Sequence, residues 1–474
     1  MITFTLGIVA LILGYIFYGK FLTRLFGVDE SRPTPAKTMA DGVDYVPMKA
    51  WKAYMIQFLN IAGLGPIFGA IMGAKYGTSC YLWIVFGTIF AGGVHDFLSG
   101  MMSVRFNGES LTGLVGRFLG EPVKRVFTIF SLVLLVLVGA VFASQPADLL
   151  AKLTPDSLNA TFWVAAIFLY YLIATLFPVD KIIGRIYPLF GGLLLFMAIG
   201  IMIAMYINHP ELPEMWNGFG TKYEKAPIFP MMFVSIACGA ISGFHATQSP
   251  MMARCMTNER QGRGIFYGAM ITEGIVALIW AAAATSFYGE NGTDMTAAEI
   301  VMNLSHTWLG KVGGIFAVLG VVAAPVSTGD TALRSARLII ADALGNEQKT
   351  IRHRLVISIP LFLVTFAVLM FSMKDKENFA IIWRYFAWAN QTLSVFTLWA
   401  ITVYLTRERK NFYITLVPAL FMSMVTSCYI LSAPEGLELT PYVAYIIGAL
   451  FTLNLLYFFI RWKKHFDGNQ IKPI

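Results

Sequence analysis

The sequence carries little charge for its length. Only 13% of the 474 residues are Asp, Glu, Lys or Arg, whereas 57% are hydrophobic, and the mean hydropathy is +0.67. This composition excludes a water-soluble globular domain. The apolar residues form runs of about 18 to 27 residues, the length at which an α-helix crosses roughly 30 Å of hydrocarbon. We therefore predict an all-α polytopic membrane protein.

Cysteine pairs and nucleotide-binding or hydrolase motifs are also missing. The four cysteines occur singly, without a CxxC pair, which argues against a zinc site or a disulfide framework. The sequence contains no GxGxxG, GxxxxGK[ST], HExxH or GxSxG motif. We therefore expect no enzyme activity, no cofactor, no metal and no obligatory ATPase subunit. The net charge of +8 lies in short clusters between apolar runs, so membrane topology explains it better than nucleic-acid binding does.

Thirteen membrane spans are predicted, and the first is taken as a retained helix because no basic segment precedes it and no cleavage site follows it. They lie near residues 2–19, 51–73, 78–104, 123–149, 161–178, 187–207, 228–254, 264–288, 311–341, 354–373, 378–404, 411–431 and 441–461. When successive loops are assigned to alternate sides of the membrane, 27 of the 35 basic residues fall in cytoplasmic segments and 7 fall in external ones. This predicts a bacterial inner-membrane protein with its N-terminus outside and its C-terminus in the cytoplasm.

Two predicted spans contain glycine and proline where a lipid-facing helix would not. The first break is Asn60-Ile-Ala-Gly-Leu-Gly-Pro66, and the second extends from Cys238 to Pro250. Such breaks free backbone groups that hydrocarbon does not satisfy, so they predict a cavity in which a half-helix N-terminus attracts an anion and freed carbonyls hold a cation. Simple kinks packed by neighbouring helices are the alternative.

Similar sequence offsets link two halves of the chain. Pro66 and Pro250 lie 184 residues apart, and Asp148 and Asp330 lie 182 residues apart. These offsets predict two structural repeats of five spans each. Because five is odd, the second repeat is inverted in the membrane, as in LeuT-like transporters. The predicted division is 1–50 (an extra N-terminal helix and a cytoplasmic loop), 51–207 (first repeat), 228–404 (second repeat) and 411–474 (two C-terminal helices and a basic tail).

Polar residues at the breaks and ionisable residues within spans are the candidate sites, because burying them in a membrane is costly. The predicted solute-binding residues are Ala62, Gly63, Gly65, Ser242, Gly243, His245, Thr247 and Gln248, with Ala62–Pro66 facing Ser242–Gln248 near mid-membrane. The predicted ion-coupling residues are Glu273, Asp330, Ser327, Thr328, His95 and Asp96.

The coupling ion stays open between a proton and sodium. Glu273 and His245 are titratable and favour a proton, while Ser327, Thr328 and carbonyl groups near Ala62 would suit sodium. A structural hydrogen bond is the alternative role for Glu273, and helix packing is the alternative for the two hydroxyls. Because His95 and Asp96 are adjacent on a helix, we expect at most one of them to line a given cavity. For Arg384 the alternatives are coordination of an anion and snorkelling towards water.

Three segments resemble the carbon starvation protein CstA family. They are Ile-Met-Gly-Ala-Lys-Tyr-Gly ending at Gly77, Ala-Gly-Gly-Val-His-Asp-Phe ending at Phe97, and the long run Ser-Ile-Ala-Cys-Gly-Ala-Ile-Ser-Gly-Phe-His-Ala-Thr-Gln-Ser-Pro-Met-Met-Ala-Arg-Cys ending at Cys255. The resemblance extends from the first span to about residue 404. It implies a LeuT-like carrier of the bacterial inner membrane that takes up peptides or pyruvate during nutrient starvation.

The sequence thus predicts a secondary transporter that couples a small carboxylate or peptide to a proton or to sodium. Its expected partners are the small-molecule substrate and membrane lipid. Two alternatives remain, which are a membrane-embedded metal-binding protein or enzyme using His95, Asp96 and His245, and a passive channel.

Overall fold

The structure is a computed structural model that describes residues 1–474 except 43, 177–178, 221–226, 292–294, 346–349 and 469–474. The end of the predicted span 161–178 and parts of loops 208–227, 289–310 and 342–353 fall outside the described residues. In the described part the fold is all-helical, and an isolated bridge between Gly77 and Phe219 is its sole β contact.

In the described part, two one-turn helices, Pro35–Thr38 and Met215–Gly218, lie between sixteen longer helices. The longer helices are named here in chain order. They are α1 (Ile2–Phe26), α2 (Ala50–Ile61), α3 (Gly65–Tyr76), α4 (Ser79–Arg105), α5 (Leu111–Leu119), α6 (Glu121–Leu153), α7 (Ala160–Leu176), α8 (Val179–Asn208), α9 (228–235), α10 (Gly243–Ala253), α11 (Glu259–Gly289), α12 (Ala297–Leu344), α13 (Ile351–Ser372), α14 (Lys376–Arg407), α15 (Tyr413–Ser432) and α16 (Pro441–Gly468).

Nine of these helices in the described chain are long and apolar enough to cross a membrane, and the bent pair α2–α3 makes ten if it is one span. The other three predicted spans fall on helical segments that do not pass the same test. Helix α7 is short, α9 and α10 are separated by non-helical residues, and α14 is long but less apolar. The membrane-spanning character of the chain is confirmed, whereas the number thirteen stays a prediction.

Both predicted helix breaks are present. Helices α2 and α3 meet at an angle of 54° around residues 62–64, just before Pro66, whose ring lacks the N–H that would continue the helix. Residues 236–242 separate α9 from α10, so the second break ends before the predicted Pro250, and residues 243–250 belong to helix α10. Helix α12 is also interrupted, at Gly310, which has a φ of +69°. Glycine adopts this left-handed conformation without the steric cost that a side chain brings.

Contacts between the connecting segments agree with the prediction of which segments lie on the same side of the membrane. The Met1 amino group lies 2.5 Å from Glu214 Oε1, so the N-terminus and the segment after α8 are together. At the opposite end, Arg105 Nε donates to the buried Glu259 carboxylate at 3.3 Å, and Lys410 Nζ donates to the Phe26 carbonyl at 2.7 Å. These segments were predicted to be cytoplasmic. Which end faces the cytoplasm is a prediction of the basic-residue count.

The core surrounds the two broken segments. Helix α12 packs along α6 and α8, α10 packs against α4 and α2, and α11 packs against α2 and α3. Helices α15 and α16 pack on each other at the end of the chain. Helices α1 and α16, which are long enough to cross a membrane, expose many large apolar side chains, whereas α4, α11 and α12 are mostly buried. The breaks are therefore enclosed by protein, the setting in which non-helical backbone is tolerated at membrane depth.

Candidate functional site

The two breaks touch each other through small residues. A Cβ atom added to Gly65 would lie 2.1 Å from the Cys238 Cβ, and one added to Gly239 would lie 3.7 Å from the Pro66 Cα. The contact confirms that the breaks meet, but the predicted pairing of Ala62–Pro66 with Ser242–Gln248 is wrong. The second break approaches the first through Cys238 and Gly239, which precede the predicted segment in the chain.

The remaining residues of the two breaks face other helices. Gly63 lies against Phe142 of α6 and Thr328 of α12, and Gly243 lies against the α14 backbone at Asn390 and Ser394. Ala62 is fully buried at the end of α2. The solute-binding candidates therefore surround the meeting point of the breaks and do not form two opposed rows.

Side chains of α14 and α4 satisfy polar groups of the second break. Asn390 Oδ1 accepts hydrogen bonds from the Ser242 hydroxyl at 2.9 Å and from the Phe244 N–H at 2.8 Å. Gln391 Nε2 donates to the Ala237 carbonyl at 2.9 Å, and the Thr88 hydroxyl donates to the Gly239 carbonyl at 3.0 Å. These bonds replace the interrupted helical ladder, since an unpaired buried backbone group costs about 1–3 kcal/mol.

Four ionisable side chains beside the second break form one buried cluster, here called the His-Asp-His-Glu cluster. His95 Nδ1 lies 2.7 Å from Asp96 Oδ1, Asp96 Oδ2 lies 2.9 Å from His245 Nδ1, and His245 Nε2 lies 3.3 Å from Glu273 Oε2. All four side chains are 0% exposed. The cluster joins α4, α10 and α11, three elements distant in sequence.

Both His95 and Asp96 belong to this cluster, whereas the expectation that at most one of them lines a given cavity stays a prediction. Adjacent helical residues point about 100° apart. The imidazole of His95 nevertheless reaches the neighbouring carboxylate, and Asp96 uses its second oxygen for His245. Asp96 thus holds both imidazoles, one from its own helix and one from the second broken segment.

The cluster offers a path for a proton. Hydrogen-bond contacts join His95, Asp96 and His245, whereas His245 Nε2 lies 3.3 Å from Glu273 Oε2 without a hydrogen bond between them, so the last link of this path is a close contact of two unbonded atoms in the described structure. Two carboxylates and two imidazoles have several protonation states that differ in net charge. A buried charge is costly unless it is paired, so the protonation of these groups affects how favourably the cluster is buried between its helices.

The same place could also hold a metal ion. Cys238 Sγ, a ring nitrogen of His245 and a carboxylate oxygen of Glu273 all lie within 4.8 Å of one another. A thiolate, an imidazole and a carboxylate are ligands that suit zinc or another divalent transition metal. Asp96 on Nδ1 of His245 would act as the outer partner that orients a ligating imidazole.

The other predicted ion-coupling residues form a second group on α12. The Tyr187 hydroxyl contacts Asp330 Oδ2 at 2.8 Å and the Ser327 carbonyl at 2.9 Å. The Thr328 hydroxyl donates to the Leu59 carbonyl at 3.0 Å, at the end of α2. The predicted set thus divides between the two breaks, with the His-Asp-His-Glu cluster at the second and Thr328 at the first.

Thr247 and Gln248 turn towards α12. Gln248 Nε2 donates to the Thr247 hydroxyl at 2.9 Å and lies 3.4 Å from the Ser335 hydroxyl. Thr247 and Ser335 also line a small pocket with Arg254 and Asp342. These residues therefore lie on the face of α10 that contacts α12, towards the predicted cytoplasmic end of α10.

Sequence reasoning missed Asn390, Tyr187 and the role of Cys238. Asn390 could have been found from the Asn-Gln pair at 390–391, because amide side chains inside an apolar span need a hydrogen-bond partner. Arg384 was instead the candidate in that span, and its guanidinium lies 3.0 Å from Glu435 Oε2. Neither anion coordination nor simple snorkelling is needed to explain that residue.

The broken helices, the enclosed ionisable cluster and the fold define a membrane transporter of the secondary type. The fold is similar to that of the Eremococcus coleocola manganese transporter, with a TM-score of 0.56 at 12% identity over 88% of this chain and 95% of that one. It is also similar to MhsT crystallised with L-phenylalanine, with a TM-score of 0.55 at 14% identity over 85% of this chain and 97% of that one. At these identities the likeness concerns the fold alone.

The chain belongs to the family described as carbon starvation protein CstA, whose model matches residues 1–158, 146–308 and 294–428. An uncharacterized membrane protein of Haemophilus influenzae is 44% identical over 339 residues, which are 61% of this chain and 91% of that protein. The peptide transporter CstA of Campylobacter jejuni is 25% identical, covering 87% of this chain and 77% of that protein. The pyruvate/proton symporter BtsT of Escherichia coli is 27% identical over 58% of this chain and 47% of its own length.

Proposed function

We propose that this chain is a proton-coupled symporter of a short peptide or small carboxylate in the bacterial inner membrane, and that it serves uptake during starvation. The observation that carries the proposal is the buried contact of His245 on the second broken segment with Glu273 and Asp96. Relatives named as a peptide transporter and as a pyruvate/proton symporter support the substrate class and the ion.

In this mechanism the cluster and the breaks act together. A proton on the His245–Glu273 pair lowers the net negative charge next to the break where the solute binds. Solute and proton therefore favour the same arrangement of α10 and α11, and each promotes the binding of the other. Opening of the cavity to the other side releases both.

The architecture proposed for this cycle is the predicted one. Thirteen crossings, with two inverted repeats of five, would place α2–α3 and α9–α10 as equivalent broken spans. The N-terminus would be outside and the C-terminus in the cytoplasm. Gradient-driven transport of this kind needs no ATPase subunit, and we propose none.

Sodium is the second candidate ion. The hydroxyl of Thr328 lies at the first break beside the Leu59 carbonyl, and Ser327 precedes it on α12. Hydroxyl and carbonyl oxygens are suitable ligands for a hard cation. The proton is favoured because four titratable groups are joined at the second break, whereas the Thr328 hydroxyl already donates to protein carbonyls.

Metal binding is the competing function, and the Cys238, His245 and Glu273 group favours it. Elemental analysis of the purified protein, beside a Cys238→Ser variant, separates the two. A symporter that uses the cluster for protons should contain no stoichiometric metal. One equivalent of a transition metal in the wild type and its loss in the variant would favour the metal site.

Uptake into proteoliposomes tests the proposed function. Labelled alanyl-alanine or pyruvate is offered with an imposed pH gradient, an inside-negative membrane potential, a sodium gradient, or none of these. A neutral dipeptide that enters with one proton moves one charge, so a 100 mV inside-negative potential is worth about 2.3 kcal/mol, or roughly fiftyfold accumulation. Accumulation with sodium alone would assign the coupling to sodium, and flux without accumulation would indicate a channel.

A further inference from the structure

Two amide side chains on α2 are buried without any hydrogen-bond partner. Gln57 and Asn60 are 0% exposed, and neither the oxygen nor the nitrogen of either amide is bonded in the described structure. They are three residues apart on one helix and therefore share a face. Almost all buried polar groups in native proteins are paired with protein, water or a ligand, so two adjacent free amides indicate that something else binds there.

The face that carries these amides is directed away from two neighbours of α2. Tyr54 bonds to Thr272 of α11, and Met55 and Leu59 contact Gly191 of α8. At about 100° per residue, Asn60 points away from both of these sides, and Gln57 lies between the side of Tyr54 and that of Asn60. Helices α10 and α12 also pack against α2, on its remaining sides.

The level of the amides along α10 follows from a backbone contact. The Met48 N–H donates to the Cys255 carbonyl at 3.0 Å, and from this point α2 and α10 run side by side in opposite directions. Asn60 is twelve residues after Met48, and Gly243 is twelve residues before Cys255. Asn60 is therefore level with the second break, and Gln57 is level with the first turn of α10. Gln248 of α10 also leaves its Oε1 atom unbonded.

We propose that Gln57 and Asn60, together with Gln248, hydrogen bond the transported solute and select one that carries N–H donors as well as oxygen acceptors. The inference rests on the proposed function. A side-chain amide offers both a donor and an acceptor. A simple oxo acid would use the two NH₂ groups and leave the amide oxygens buried and unpaired, whereas a short peptide would satisfy both. A site with buried hydrogen-bonding groups discriminates strongly against a ligand that lacks the matching group.

Binding to the purified full chain tests this without requiring transport. The variants are Gln57→Leu and Asn60→Leu, and the matched control is Asn454→Leu, whose side chain is exposed on α16. Titration calorimetry with alanyl-alanine should show about tenfold weaker binding for each of the two variants and no change for the control. Pyruvate binding should change less than dipeptide binding. Equal dipeptide affinity in all four proteins, or no dipeptide binding by the wild type, would overturn the inference.

Thermal melting without solute separates solute binding from a structural role. Leucine removes an unpaired buried amide, so the melting temperature of both variants should be equal to or above that of the wild type. A lower melting temperature would show that the amides bond within the protein and would overturn the inference. If binding behaves as expected but a pH gradient drives no accumulation, the proposed proton coupling fails and the solute contacts stand.

Discussion

His245, on helix α10 beside the second break, faces Glu273 of α11, with His245 Nε2 3.3 Å from Glu273 Oε2 and both side chains fully buried. Asp96 holds the other nitrogen of the same imidazole. The imidazole therefore lies between two carboxylates. Under the proposed function, the protonation of the cluster and the position of α10 depend on each other.

Asn390 is expected to hold the second break in its shape. In Asn390→Leu, the Ser242 hydroxyl and the Phe244 N–H lose their shared acceptor in a buried place. We expect a loss of about 1–3 kcal/mol of stability and a strong fall in transport. Thermal melting and exchange of labelled solute measure the two effects, and Asn454→Leu serves as the control. Normal melting and exchange in Asn390→Leu would show that the break is held by other contacts.

The close contact of the two breaks leaves no room for a side chain at Gly65. Because its Cβ would lie 2.1 Å from that of Cys238, Gly65→Ala should force the segments apart and cost about 1–3 kcal/mol. Solute exchange should fall sharply.

Two further variants control for this effect. The double variant Gly65→Ala with Cys238→Gly should recover part of the exchange, because it removes the clashing atoms. Gly192→Ala, where an added Cβ meets nothing within 4 Å, should behave as the wild type. If Gly65→Ala matches Gly192→Ala in exchange, the two segments do not meet during transport.

Replacing Thr328 distinguishes the two candidate ions. Thr328→Val removes the hydroxyl that contacts the Leu59 carbonyl and should cost about 1 kcal/mol of stability. Under proton coupling, accumulation driven by a pH gradient should persist in this variant, and replacing sodium by potassium should not affect the wild type. Loss of accumulation in either test would move the coupling site to α12.

The helix breaks could be predicted from local sequence signals, whereas the contacts between segments distant in sequence could not. Pro66 and its neighbouring glycines interrupt a helix wherever they occur, so the first break was visible in the sequence. The pairing of Asp96 with two imidazoles depends on how α4 and α10 pack, which periodicity does not encode. Asn390 was missed for the same reason, because its role appears only when α14 lies beside residues 237–244.

The span count shows a similar limit. Thirteen runs are visible in the sequence, but hydropathy and length support ten at most in the described chain. Segments such as α9–α10 and α14 are enclosed by other helices and carry the polar residues of the site. Their lower hydropathy follows from that position, since residues that do not face lipid need not be apolar.

The most direct test of the central claim is proton-driven accumulation by Glu273→Gln in proteoliposomes, compared with exchange of labelled solute in the same vesicles. The amide keeps the shape of the side chain but does not take up a proton. We expect accumulation to be abolished and exchange to be largely retained, while Glu438→Gln, at an exposed position, keeps both. Accumulation by Glu273→Gln with the normal pH dependence would contradict the account and leave Glu273 with a structural role.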